Sequence, residues 1–370
     1  MARYSSVKPH CVSSKRNESL SLGAALFTRG AFIKGLFIKG LFIKGLFSTR
    51  PFTTRLLRLV PVSLVLAITA LSSALLLSTA ADAKSDEAEH NQSLSNSAAS
   101  SQSVNLSQNI SLSSGAKGVL EKSSCTANND ANLEIKGAVL LIHGWAGQKD
   151  EVGDLYKDLS HQLSAHCIAS VRFDVRGEAE REASNYTLSS TFKSRVEDAQ
   201  AGLDYLQAQY PNTPLVVVGF SLGGATAMEL VSTHPKTFDG MVLWSTALNP
   251  NEIVTNSQNF KEVRQALEQG QSTLKSWVDL TLTRKHLVGM LGYNPIRNLG
   301  DFEGEVLAIR GSNDYLPAHE NVIFEASNAV REDAYYIGDA DHIFNVYEPD
   351  RSKKEEVLDL SVNWIKQLLK

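Results

Sequence analysis

Residues 215–224 read Leu-Val-Val-Val-Gly-Phe-Ser-Leu-Gly-Gly, and this run leaves the chain little freedom in local structure. The apolar, β-branched stretch after Pro214 predicts a strand buried on both faces. Leu222 to Thr233 then predicts a helix, ended by His234-Pro235. Ser221 therefore sits on a sharp strand-to-helix turn. Such a turn crowds the backbone on both sides of the serine, which calls for Gly219 and Gly223, while Gly224 and Ala225 let the helix lie close to its strand. The Leu222 N–H, at the helix start, has no carbonyl one turn back and is free to bind an anion.

This unit belongs to only part of the 370 residues. Residues 1–58 hold eleven Lys+Arg and one acid, residues 59–81 carry no charge, and residues 84–118 are rich in Ser, Asn, Gln and Ala with little to bury. The folded domain is expected over 119–370, long enough for a single α/β core. From residue 84 onward 25 Lys+Arg face 38 Asp+Glu, a net of −13 hidden by the overall −4. That sign, with no basic stripe among aromatics, disfavours nucleic acid as a partner.

Leu59–Ala81 follows Arg50, Arg55 and Arg58 and precedes Ala81-Asp82-Ala83, which has the small-x-small form of a signal-peptidase site. Residues 59–83 are thus expected to be an export signal cleaved near Ala83. The alternative is an uncleaved anchor, since 23 uncharged residues can cross a bilayer core. Both readings put the domain outside the cytoplasm. Upstream, Phe32 to Phe47 repeats Phe-Ile-Lys-Gly-Leu with a period of five, which matches neither helix nor strand and reads as a basic, apolar, low-complexity extension.

Cys11 precedes the apolar segment, leaving Cys125 and Cys167 as an even pair that an oxidising compartment can join. No Cys-x-x-Cys or His-Glu-x-x-His pattern occurs, so the reading includes neither a metal nor a cofactor. The folded part alternates strands (138–142, 168–173, 215–220, 241–244, 305–309, 334–337) with helices (152–164, 191–209, 222–233, near 318–330, 353–369). This predicts a mostly parallel sheet covered on both faces, with ligands at its carboxyl ends.

Four motifs now carry a family resemblance. In chain order they are His143-Gly144-Trp145-Ala146-Gly147 after the first of these strands, Gly-Phe-Ser-Leu-Gly, Gly311-Ser312-Asn313-Asp314, and Gly338-Asp339-Ala340-Asp341-His342 after the last strand. The domain resembles an α/β-hydrolase, in particular its cinnamoyl-esterase and serine-aminopeptidase-like branch. The resemblance implies Ser221 as nucleophile, His342 as base and then acid, Asp314 as the orienting carboxylate, and the N–H groups of Leu222 and Trp145 as oxyanion donors. Asp301, Asp339 and Asp341 compete with Asp314, but the first precedes its strand and the other two read as turn residues. Trp145, Phe220 and Trp244 are expected to bind substrate, and His143 to shape its loop.

Two segments depart from the family or exceed what a crossover needs. After Asp174-Val175-Arg176-Gly177 the family continues with glycine and serine, where this chain has Glu178-Ala179-Glu180-Arg181-Glu182; the Asp174/Arg176 pair is expected to fix this loop. About 60 residues separate the strand ending at Trp244 from the one at Glu305, which predicts an inserted, helical lid over 249–297. Its apolar residues, from Phe260 to Leu291 and including Trp277, are candidates for an acyl or aryl pocket. Ester hydrolysis leads. A peptidase or aminopeptidase, with Glu252, Glu262 or Glu268 holding an amine, and a lipase or acyltransferase remain open. The partner is a small-molecule ester or amide.

Overall fold

A computed structural model describes residues 106–127, 135–178, 185–255 and 260–370, all within one compact unit. The basic extension 1–58, its repeat, and the candidate signal or anchor 59–83 lie outside the described residues.

The expected boundary at Val119 is too late. Strand β1 (Ser107–Ser111) pairs antiparallel with β2 (Lys117–Glu121), so residues 107–118, which their composition places in the linker, fold with the domain. As an edge strand, β1 buries one face only. Ile110, and Leu112 just beyond it, enter the core while Gln108, Asn109 and Ser111 are exposed, and that composition mimics a linker.

Short helix α1 (Ser124–Ala127) leads to β3 (Gly137–Ile142), after which a 3-10 turn at Val152–Asp154 precedes α2 (Leu155–Ser164). The helix expected from Val152 starts three residues later because Gly153 has φ +58°. Then follow β4 (Ile168–Phe173), β5 (Asn185–Leu188) and α3 (Phe192–Gln209), whose Thr191 and Ser194 form a reciprocal cap. Next come β6 (Leu215–Phe220), α4 (Leu222–Thr233) and β7 (Gly240–Trp244). After the lid lie β10 (Glu305–Gly311), α8 (Glu320–Ala326), β11 (Arg331–Ile337) and α9 (Lys354–Leu368).

The main sheet has the order β1-β2-β4-β3-β6-β7-β10-β11, parallel from β4 to β11. Every residue of β3, β4, β6 and β7 is buried, because helices cover both faces. Leu140 and Val217 meet Leu203 and Met228 of α3 and α4 on one face; Val139, Leu141, Val216 and Val218 meet Leu159 of α2 and Ile365 of α9 on the other. The order reverses direction beside β3, so the loops after β3 and β6 open toward the same edge.

The lid is not simply helical. Helices α5 (Asn251–Thr255) and α6 (Phe260–Gln269) are followed by a hairpin of β8 (Gln271–Lys275) and β9 (Asp279–Thr283), then α7 (Arg284–Val288). Strand β9 also pairs with β5, so the segment between β4 and α3 joins the lid in a second, three-stranded sheet. Residues 271–275 and 279–283 each alternate buried with more exposed positions, a period of two that marks strands. Val263, Leu274, Leu280, Leu282 and Leu287 bury one another in a separate small core, while Phe260, Trp277 and Leu291 face solvent, so these residues form no acyl pocket.

Candidate active site

Ser221 sits between β6 and α4 with φ 53° and ψ −119°, a backbone conformation that side chains seldom adopt and that the surroundings must hold. Its N–H donates to the Trp244 carbonyl (2.9 Å), and its carbonyl accepts from the amides of Gly224 (3.0 Å) and Ala247 (3.1 Å). A Cβ at Gly223 would stand 1.9 Å from the Ile142 carbonyl oxygen, and one at Gly219 2.5 Å from that of Gly223. Both glycines are therefore required by close backbone approach, and the serine is fixed by main-chain contacts on every side.

The structure brings the three separated motif residues together. His342 Nε2 lies 3.0 Å from Ser221 Oγ, and His342 Nδ1 lies 2.8 Å from Asp314 Oδ1. The imidazole is wedged between Phe220, at 5.2 Å, and Tyr315, at 4.5 Å between ring centroids. The loops bearing Asp314 and His342 are strapped by main-chain bonds from Ser312 to Ile337 and from Asn313 to Ala340. Asp341 accepts from the amides of Ile343 and Asn345, a turn role. Burial would raise the Asp314 pKa, but the hydrogen bond and charge of His342, the Leu316 amide and Arg310 outweigh it and hold the carboxyl below its ordinary range. Arg310, itself buried, binds Asp314 Oδ2 (2.7 Å), Glu320 (2.5 Å) and the Thr246 carbonyl (2.9 Å), and so fixes the carboxylate from behind.

Across the cleft, the His143–Gly147 loop is held by two buried carboxylates. Glu151 accepts from the Gly144 amide (2.7 Å) and Glu178 from the Ala146 amide (2.9 Å). The Trp145 amide lies between these two anchored groups. Glu178 is fully buried, yet Arg195, also fully buried, reaches it at 2.6 Å and holds its pKa down at about 2 against the opposing effect of burial. Arg195 further donates to the His143 carbonyl (2.6 Å) and to Thr226 (3.2 Å). His143 shapes the loop: Nδ1 donates to the Gly144 carbonyl and Nε2 accepts from the Val175 amide. Burial, then the Arg195 charge, lowers its pKa to about 4 and keeps it neutral.

The cleft above Ser221 is lined by Trp145, Leu222, Ala247, Glu252, Ile253, Tyr315 and Leu316. Trp145 lines this cleft, the position a substrate-contacting side chain requires. Phe220 and Trp244 do not. Phe220 packs behind His342, and Trp244 is fully buried with its indole N–H on Ser361, since alternate strand residues point into the two cores rather than out of the sheet's end. Asp174 and Arg176 do not pair with each other; Lys149 binds the first and Asp198 the second, because the loop turns at Gly177. Of the three lid glutamates considered for an amine, only Glu252 reaches the cleft. Cys125 and Cys167 are joined as a disulfide, their Cα atoms 5.2 Å apart. Among the described residues no group of side chains has the makings of a metal site, and no helix is long and apolar enough to cross a membrane.

Sequence reasoning missed Glu178, Arg195, Arg310 and Tyr315. A signal existed for Arg195: it shares the helical face of Phe192 and Ala199, and a charge at a core position demands a buried partner. For Glu178, one acid in a run, no signal singles it out.

Residues 134–295 match the family model described as serine aminopeptidase, S33. Mouse monoglyceride lipase is 30% identical over 125 residues, 32% of this chain and 39% of that relative. The pimeloyl-[acyl-carrier protein] methyl ester esterase of Chromobacterium violaceum is 27% identical over 182 residues, 49% of this chain and 64% of that one. The matches thus span less than two thirds of either relative. Est1E from Butyrivibrio proteoclasticus superposes with a TM-score of 0.53 at 16% identity, covering 72% of this chain and 99% of Est1E. The chain has the α/β-hydrolase fold, and its central part is similar to that family's serine aminopeptidase-like model.

Proposed function

We propose that the protein is a serine hydrolase that cleaves a carboxylic ester through an acyl-enzyme on Ser221. The observation that carries this reading is the unbroken hydrogen-bonded line from Ser221 Oγ through both nitrogens of His342 to Asp314. A serine hydroxyl is a weak nucleophile until a base takes its proton. His342 Nε2 accepts that proton as Oγ attacks the ester carbonyl, and then delivers it to the leaving alcohol. Asp314 holds the proton on Nδ1, leaving Nε2 free as the base, and stabilises the imidazolium. The amides of Leu222 and Trp145 receive the oxyanion, each contributing roughly 3–4 kcal/mol in comparable sites. Water, activated by the same imidazole, resolves the acyl-enzyme.

The lipase and methyl ester esterase among the relatives favour an ester bond. The cleft is a small-molecule site with an apolar wall at Ile253 and Leu316. Aminopeptidase activity is the second reading, favoured by one observation, the Glu252 carboxylate on the cleft wall, where it can meet a substrate ammonium. We further propose that the domain works outside the cytoplasm, a reading supported by the Cys125–Cys167 bridge. Mass spectrometry of the mature amino terminus checks cleavage after Ala83.

A fluorophosphonate should label the wild type and not Ser221→Ala, and persistent labelling of the variant removes Ser221 as nucleophile. A panel of aryl esters and aminoacyl-arylamides separates the two readings. Ester turnover that Glu252→Gln leaves intact, with no arylamide turnover in the wild type, decides for the esterase.

A further inference from the structure

Behind the oxyanion loop runs a buried polar thread that the catalytic residues do not account for. The Trp145 indole N–H donates to His286 Nε2 at 2.8 Å. His286 belongs to lid helix α7 and is fully buried, 141 residues along the chain from its partner. Because Nε2 accepts, the neutral ring carries its proton on Nδ1, which donates to the Ser190 carbonyl at 2.8 Å. Ser190 Oγ in turn donates at 2.5 Å to Glu178, the carboxylate that holds the Ala146 amide and pairs with Arg195. The lid histidine therefore grips the oxyanion loop at two points: the Trp145 side chain directly, and the next amide through Ser190 and Glu178. The Trp145 N–H lies just upstream of both points, and on its other side the Gly144 amide is held by Glu151.

We propose that His286 is a positioning residue: it aims the Trp145 amide at the developing oxyanion, so that the lid's packing sets the strength of the oxyanion site. The inference rests on the reading of Ser221 as nucleophile and Trp145 N–H as donor. A peptide unit whose flanking groups are tethered needs little reorganisation when charge develops, and this is where such donors gain their effect. Ala146 makes the tether necessary, since its φ of +52° is a conformation that alanine does not hold unaided. A histidine is suited to the position because it accepts on one edge and donates on the other. Burial, the largest influence on its pKa, lowers it and favours the neutral form this needs. Glutamine can reproduce both bonds, and leucine neither.

The test is steady-state hydrolysis of p-nitrophenyl butyrate by wild type, His286→Leu, His286→Gln, Trp145→Phe and the double variant Trp145→Phe/His286→Leu. His286→Leu should lower kcat by about 10- to 100-fold with KM changed less than about threefold, as expected for a contact that matters in the transition state only. His286→Gln should recover most of that loss. Trp145→Phe should match His286→Leu, and the double variant should fall no further, since both break one thread. Wild-type kcat in His286→Leu or Trp145→Phe overturns the proposal, as does equal damage from Gln and Leu at 286. If His286→Leu fails to fold, Trp145→Phe and His286→Gln still decide. Fluorophosphonate labelling lost in Ser221→Ala keeps the two questions apart: if it persists, the nucleophile reading fails, whereas loss there beside unchanged kcat in the 286 variants sinks this inference alone.

Discussion

The carboxyl edge of the sheet and the lid are built by different means. At the edge, Ser221 is held by main-chain bonds to Trp244, Gly224 and Ala247, and glycine contacts under 3 Å leave no slack. In the lid, short elements cohere through a small apolar core of their own, and a partly buried polar tether, Trp145–His286, leads to the candidate oxyanion loop. Close backbone packing sets the nucleophile; a small sheet with its own side-chain core and polar tether seats what lies above it. Substitutions at the edge should therefore change chemistry by orders of magnitude, and most lid substitutions should change little.

The largest effect is expected at Asp314, behind the imidazole. Asp314→Asn keeps the shape but favours the wrong tautomer of His342 and releases Arg310, so kcat should fall by about 10⁴-fold with KM nearly unchanged. A loss of tenfold or less in single-turnover kinetics would mean that Asp314 does not orient the histidine.

Glu178→Gln comes next and acts on stability. It leaves the Arg195 guanidinium buried without its carboxylate, which should cost about 3–5 kcal/mol in urea unfolding. The pH dependence follows from the same cluster. Glu178 has a folded pKa of about 2 against an ordinary 4.5, so its contribution is complete above about 4.5 and is lost as pH falls toward 2. His143 has a folded pKa of about 4 against 6.5, so the unfolded chain takes up a proton first, and stability falls as pH drops from 6.5 to 4. Calorimetry should show Tm declining through both windows; a flat Tm between pH 6.5 and 4 contradicts a buried neutral His143.

The same contrast decides what the sequence reveals. The elbow was legible because backbone crowding writes itself as glycines at fixed offsets, and the parallel sheet because burial on both faces writes itself as unbroken apolar runs. Ser221, Asp314 and His342 were legible as chain-order motifs, and their meeting in space is a product of the strand order. The lid was not legible, since β8 and β9 are five residues each and β9 pairs with β5 some 90 residues upstream, a partnership no local pattern announces. Edge strand β1 was lost for a related reason: one buried face carries half the apolar signal. Trp244 misled because a large aromatic beside the elbow faces the inner core rather than the ligand.

A third region calibrates the comparison. Cys167 immediately precedes β4, so the disulfide lies at the amino ends of the parallel strands, opposite the edge that bears Ser221. Replacing both cysteines by alanine should cost about 2–4 kcal/mol, through the loop the bridge closes, and leave kcat within twofold. A large drop in kcat at unchanged fold would show that the two ends of the sheet are coupled.

The smallest effect is expected at Trp277, in the turn between β8 and β9. The side chain is 59% exposed and takes no part in the cleft. An exposed side chain away from caps, charges and cavities changes stability by about 0.5 kcal/mol or less when truncated. Trp277→Ala should accordingly keep its unfolding midpoint and hydrolyse a soluble short-chain ester at the wild-type rate. The informative arm is an emulsified long-chain ester. Phe260, Trp277 and Leu291 are all solvent-exposed on the lid segment, and aromatic side chains of this kind favour the boundary between water and lipid. If the lid serves only to complete the site, the emulsion rate is also unchanged. A selective loss on the emulsion would assign the lid a contact with the lipid surface, and would move the proposed activity from simple esterase to lipase without altering anything at Ser221.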